Sequence, residues 1–334
     1  MAEPGLAEKV AFLGRPESYL DQVRQVDLKE THMSYVFLTD QHAWKLKKPV
    51  ANSYLDFTTV DARRCNCARE LDLNRRLAPG VYLGMVPLVI DLDGRIKLGG
   101  EGRIIDWLVK MRRLPAERML DRAIENHTVS REDVHKLGVM LAHYYEQAPR
   151  IRMSPAEYRQ RLENDIHDCA KELRRPEYAL SSDQIESIRL QQAHALAADA
   201  AMFDDRVKQG RIVDAHGDLR PEHICLSTKP VVIDCLEFSP DFRILDAVSE
   251  LSYFTLECER LGAKWVGDFV FECYRNETGD FPPADLIAFY TRQHACTRAK
   301  IAVWHLKDPA VRDRAKWIEK ARAYLDRAVN RGVR

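Results

Sequence analysis

The residues most able to do chemistry sit in one short stretch, Asp214-Ala215-His216-Gly217-Asp218-Leu219-Arg220-Pro221-Glu222-His223-Ile224-Cys225. Its texture is that of a catalytic loop. Shortly after it comes Val231-Val232-Ile233-Asp234-Cys235-Leu236-Glu237, an apolar run that delivers carboxylates. A buried strand ending in aspartate is a means of holding an oxygen ligand rigidly for a hard divalent cation. Asp234 is the first candidate ligand and Glu237 the second. For His223, metal ligation and a hydrogen-bonded place in the loop both stay open.

The elements that must position these groups follow from periodicity. Ser34–Leu38, a turn at 39–41 and Ala43–Lys47 read as a hairpin. An amphipathic helix of moderate quality is expected over 60–77, on apolar positions Val60, Cys67, Leu71, Leu73 and Leu77. Val86–Ile90, the turn Asp91-Leu92-Asp93-Gly94 and Arg95–Leu98 make a second hairpin, and Ile104–Val109 a further strand. Strands interrupted by one helix give an α+β pattern, not strict strand-helix alternation. After Pro115 the chain turns helical. Ser154-Pro155-Ala156-Glu157 is a capping box with proline at the first helical position, starting a helix that runs to about Leu173. Another helix is expected over 182–209 with Gly210 as its stop, and a charged one over 309–330.

Composition bounds the rest. At 334 residues, with 46% hydrophobic and 31% charged residues, the chain suits two unequal folded parts. Lys and Arg number 51, as do Asp and Glu, so no global field favours nucleic acid or an anionic membrane surface. No apolar run approaches the ~20 residues of a membrane span and no leader pattern opens the chain, so the expectation is cytoplasmic. The eight cysteines lack zinc-site spacing and read as reduced structural thiols.

His-Gly-Asp followed by Ile-Asp on the next strand resembles the aminoglycoside phosphotransferase family, which is related to the protein kinases. More narrowly, Leu46-Lys47-Lys48-Pro49-Val50, Leu73-Asn74-Arg75-Arg76-Leu77 and Asp234-Cys235-Leu236-Glu237-Phe238 resemble a bacterial subgroup often fused to a C-terminal P-loop ATPase domain. No Gly-x-x-x-x-Gly-Lys-Ser/Thr occurs here, so that domain is expected to be absent.

The resemblance implies a two-lobed protein-kinase-like fold. Residues 1–110 would be a small lobe with an antiparallel sheet and one helix, 111–115 a hinge, and 116–334 a larger helical lobe. It implies ATP with Mg²⁺ or Mn²⁺ as cofactors, and Asp218 as the base that takes the proton of the acceptor hydroxyl. Asp234 would hold the metal, with His223 standing where the family usually has asparagine. Lys45 would meet the nucleotide phosphates, with Lys47 on the same strand face as a rival, and Glu70 would pair with the lysine. Ser34 matches the phosphate-covering turn by position, and Met111 the connection that reads the adenine edge. Asp246 and Glu250 would brace the loop from below, and His216 would steady it. Phosphoryl transfer depends on positioning and charge neutralisation, so two carboxylates and a lysine supply its minimum.

The expected acceptor is a small-molecule metabolite. Between Leu286 and Arg334 lie twelve Lys/Arg and four Asp/Glu. Arg292, Arg298 and Lys300 suit an anionic acceptor better than a polycationic aminoglycoside. The rival reading is a nucleotide-binding pseudokinase that regulates a protein partner. A protein kinase is disfavoured because no extended peptide groove suggests itself.

Overall fold

The chain opens with helix α1 (Leu6–Leu13) and strands β1 (Asp27–Glu30), β2 (Ser34–Leu38) and β3 (His42–Lys47). Strand side chains alternate between faces, and β3 shows the consequence. Trp44 and Leu46 enter one apolar cluster with Leu13, Tyr19, Phe37, Leu88, Ile105 and Leu108. Ala43 joins the opposite cluster with Cys67, Leu71, Tyr82, Val109 and Met111. Lys45 and Lys47 share Ala43's face, so both point toward the helix that supplies Cys67 and Leu71.

The computed structural model describes residues 4–52, 54–308 and 311–329. It divides into two compact units, Met1–Ala123 with Glu222–Phe242, and Ile124–Pro221 with Arg243–Arg334. The expected hinge at 111–115 falls inside the first unit, and 222–242 joins that unit as well.

In the first unit, a small hairpin of β4 (Ala51–Asn52) and β5 (Leu55–Asp56) leads into α2 (Val60–Asn74), then β6 (Tyr82–Ile90), β7 (Ile96–Leu98) and β8 (Arg103–Arg112). The antiparallel sheet runs β1-β2-β3-β8-β6-β7. Strand β8 continues to Arg112, past the expected end at 109, because Met111 pairs with Ala43 on one side and Tyr82 on the other. Thr59 caps α2, its side chain accepting from the Ala62 amide. The buried face of α2 is largely polar, with Arg63, Asn66, Glu70 and Asn74 beside Cys67 and Leu71. Arg63 donates to both oxygens of buried Asp106 on β8 at 2.8 and 2.9 Å, and Lys9 of α1 meets the same carboxylate at 2.9 Å. Asp106 thereby ties both helices to the sheet. The short pair β10 (Ile224–Cys225) and β11 (Val231–Val232) completes this unit. The strand expected to run from Val231 into Asp234 stops at Val232, because Asp234 adopts φ 64° and turns the chain.

Helix α3 (Leu120–Glu125) spans the border. The second unit then contains α4 (Arg131–Gln147), α5 (Pro155–Leu173), α6 (Ser182–Ala198), α7 (Ala200–Lys208), β9 (Ile212–Asp214), β12 (Ile244–Asp246), α8 (Ala247–Arg260), α9 (Lys264–Thr278), α10 (Ala284–Trp304) and α11 (Arg314–Val329). The Ser154 capping box is present. The helix expected over 182–209 breaks at Asp199, a residue type that competes with the helical backbone for hydrogen bonds. The last helix begins at Arg314; Pro309 and Asn330, its expected ends, lie outside the described residues. Among the described residues no helix is long and apolar enough to cross a membrane.

Replacing Asp106 with alanine would strand two buried cations, so unfolding in urea should show a loss of about 3–5 kcal/mol, with a smaller loss for Lys9→Ala because Arg63 keeps its partner.

Candidate active site

The first unit gathers its candidate site residues around Glu70, which has 0% exposure. One carboxylate oxygen accepts from Lys45 Nζ at 2.8 Å, and the other takes Lys47. Lys45 also donates to Asp234 Oδ1 at 2.7 Å, and Lys47, 1% exposed, reaches Glu237. The two lysines are therefore distinct. Lys47 is sealed between two carboxylates, whereas Lys45 adjoins Asp234, whose side chain is 44% exposed.

Burial works against a charge on Lys45, but Asp234, Glu70 and Glu237 outweigh it and raise its pKa well above the ordinary lysine value. Burial likewise opposes ionised Asp234, yet Lys45 and His223 hold its carboxyl far below the usual range. Lys45 and Asp234 both stay charged at neutral pH.

The backbone around Asp234 is clamped. Its amide donates to Tyr82 Oη at 3.1 Å, the Cys235 amide to Asn74 Oδ1 at 2.9 Å, and the Ile233 amide to the His223 carbonyl at 2.9 Å. These contacts hold Asp234 in a left-handed conformation that costs a non-glycine residue on the order of 1 kcal/mol. His223 Nε2 lies 3.5 Å from Asp234 Oδ2. Glu237 faces Lys47 and so presents its charge to a lysine instead of a metal. No trio of His, Cys, Asp or Glu forms a metal cage among the described residues. Magnesium held by one or two carboxylates plus substrate phosphates needs no such cage, so the donor set fits that mode of binding.

Ser34 pairs with Lys47 across the β2–β3 hairpin and is buried, and the Met111 side chain packs in the core.

Asp218 belongs to the second unit. The antiparallel pair β9–β12 sets its environment, since the His-Gly-Asp turn follows β9 and α8 begins directly after β12. That pairing brings Glu250, on the first turn of α8, against the turn. Its carboxylate accepts from the His216 amide at 3.1 Å, the Gly217 amide at 2.5 Å and Tyr145 Oη at 2.8 Å. Gly217 has φ 88°, which favours glycine. Asp246 accepts from Arg206 at 2.7 and 2.9 Å and caps α8 through the Val248 amide. Tyr253, on the next turn of α8 after Glu250, donates its hydroxyl to Asp218 Oδ1 at 2.9 Å, and Arg220 Nε lies 3.0 Å from the same oxygen. His294 stacks on Tyr253 with ring centres 4.9 Å apart and shares a 2.9 Å hydrogen bond with Ser249.

Sequence reasoning missed Tyr82, Asn74, Asp106, Tyr253 and His294. For Asn74 a signal existed: Arg63, Asn66, Glu70 and Asn74 recur at helical spacing and mark a polar face turned inward.

The model of the family described as "Phosphotransferase enzyme family" matches residues 61–276. The chain belongs to the phosphotransferase enzyme family. Related proteins designated uncharacterized, from Mycobacterium bovis and Mycobacterium tuberculosis, are 31% identical over 279 residues, covering 83% of this chain and 54% of theirs. The chain thus spans about half the length of these relatives. Among solved structures, a choline/ethanolamine kinase family protein from Mesorhizobium loti superposes with TM-score 0.58 at 14% identity, covering 97% of this chain and 92% of its own. Choline kinase from Cryptosporidium parvum gives 0.57 at 10%, with 97% and 93% covered. The GDP complex of aminoglycoside 2'-phosphotransferase-IIIa gives 0.53 at 13%, with 99% and 100% covered. At these identities the likeness establishes the fold alone, a kinase-like α+β arrangement with an antiparallel sheet and its helices, and a larger helical part.

Burial, its main cause, lowers the His294 pKa from 6.5 to about 4. The folded imidazole stays neutral where the unfolded one takes up a proton, so stability should fall as pH drops from about 6.5 toward 4. Chemical denaturation across that range should show this limb, and His294→Gln should flatten it.

Proposed function

We propose that this chain transfers the terminal phosphoryl group of ATP to a hydroxyl of a small metabolite in the cytoplasm. The observation that carries the reading is the charged chain Glu70–Lys45–Asp234, in which an anchored lysine and a partly exposed, ionised carboxylate sit side by side. In this reading Lys45 meets the nucleotide phosphates, Glu70 fixes it, and Lys47 with Glu237 forms the buried support. Asp234, with His223 beside it, would hold Mg²⁺, or Mn²⁺, whose tolerance of nitrogen ligands suits an imidazole. The metal would supply charge neutralisation on the phosphates. Asp218 accepts the proton of the acceptor hydroxyl, oriented by Tyr253 and Glu250. The bond from the γ-phosphorus to its bridging oxygen breaks, an acceptor oxygen–phosphorus bond forms, and ADP leaves. Ser34 and Met111 receive no side-chain role, since both are buried in the sheet.

A nucleotide-binding regulator without turnover is the second reading, favoured by one contact: the His223 imidazole, 3.5 Å from Asp234 Oδ2, would compete with the metal for that carboxylate.

Screening hydroxylated metabolites for ATP consumption, followed by Asp218→Asn on the acceptor found, separates these readings. Loss of a general base should slow transfer by roughly 10²–10⁴-fold while ATP binding persists. Equal rates in variant and parent would remove Asp218 from the chemistry, and ATP binding without consumption of any acceptor would favour the regulator.

A further inference from the structure

Lys47 is held twice where one partner would serve. Glu70 already accepts from Lys45 at 2.8 Å, so it does not need Lys47 to escape burial unpaired. Lys47 nevertheless sits enclosed between Glu70 and Glu237, with the centre of the Phe57 ring 5.8 Å from its ammonium. A buried ion pair contributes little net stability, since apolar side chains of similar volume do as well in its place. What this pair adds is direction: it fastens Glu237 to β3 across 190 positions of the chain.

Glu237 belongs to the stretch that carries Asp234. Strand β11 ends at Val232, and residues 233–239 form neither helix nor strand. Up to Cys235 the backbone amides hold the turn, through the His223 carbonyl, Tyr82 and Asn74. Beyond it, Glu237 reaches Lys47 and its carbonyl accepts from Arg69 at 3.5 Å. Phe238 then packs edge-on against Phe242 with ring centres 5.7 Å apart, and Phe242 meets Tyr54, between β4 and β5, at 5.1 Å. Arg69, Phe242 and Tyr54 are exposed, whereas Lys47 and Glu237 are buried. The carboxylates of Glu70, Asp234 and Glu237 face the ammoniums of Lys45 and Lys47, which leaves one negative charge over. Removing Lys47 and Glu237 together would keep that balance.

We propose that Lys47 and Glu237 are positioning residues: their buried ion pair fastens the far side of the Asp234 turn and so sets where that carboxylate stands, while neither touches nucleotide or metal. The use made of Asp234 rests on the phosphotransferase reading, but the fastening of the segment does not.

Lys47→Met/Glu237→Met in the full chain tests the pair, because it removes both charges, keeps unbranched bulk at both sites and preserves the net charge of the cluster. Hydrogen exchange read by mass spectrometry should show the amides of 235–242 exchanging roughly tenfold faster than in the parent, as local opening requires. Peptides from β6 and α2 should exchange as before, with the urea midpoint near the parent's. Calorimetric titration with ATP should show the affinity gained from Mg²⁺ over chelator shrinking about tenfold, the effect of one misplaced charge-assisted contact. A merely structural pair would instead lower the urea midpoint and raise exchange throughout the first unit. That pattern, or parent-like exchange over 235–242, would overturn the inference. Faster exchange with the Mg²⁺ gain intact would overturn the positioning of Asp234. Should the double variant fail to fold, Glu237→Leu, which leaves Lys47 paired with Glu70, decides by the same exchange measurement. A parent chain that gains nothing from Mg²⁺ would count against the phosphotransferase reading, and exchange alone would then decide whether the pair fastens the segment.

Discussion

One buried carboxylate organises the candidate nucleotide site. Glu70 accepts from two lysines that strand geometry places two residues apart on the same face of β3. A fully enclosed carboxylate is tolerable only when paired, and here the pairing is double. Because Lys47 takes Glu237 as well, the inner half of the arrangement is electrically closed. The outer half is not, since Lys45 extends the chain of charges to Asp234, which solvent reaches. Charge is held rigidly inside and offered at one end.

Backbone contacts support that end. Tyr82 from β6, Asn74 from α2 and the carbonyl of His223 fix Ile233, Asp234 and Cys235 in a turn that aspartate adopts reluctantly. Asp218 is held by different means, through a glycine turn, the carboxylate of Glu250 and the hydroxyl of Tyr253. Each proposed catalytic carboxylate therefore has its own scaffold, one built around a sheet and one on a helix start.

Much of this is legible in the sequence. The β2–β3 hairpin follows from alternation, so Lys45 and Lys47 must share a face, and Glu70 falls on the helix after it. Pattern alone leaves open which lysine lies deeper, because that depends on Glu237 folding back onto Lys47 across a long sequence separation. The same limit hides Asp106, whose partners Lys9 and Arg63 come from two other elements. Helix α2 looks only moderately amphipathic because its inward face carries paired charges and amides instead of apolar groups. The early end of β11 is invisible for a different reason: a left-handed aspartate is imposed by tertiary hydrogen bonds, against local preference.

In the proposed reaction Asp234 provides the metal-dependent part of nucleotide binding beside Lys45. Calorimetric ATP affinities with Mg²⁺ and with chelator, compared between the parent chain and Asp234→Asn, test this most directly, because asparagine tolerates the left-handed backbone while losing the charge. Tighter binding with Mg²⁺ is expected in the parent, with little or no metal dependence in the variant. Metal dependence of equal size in both would contradict that role for Asp234.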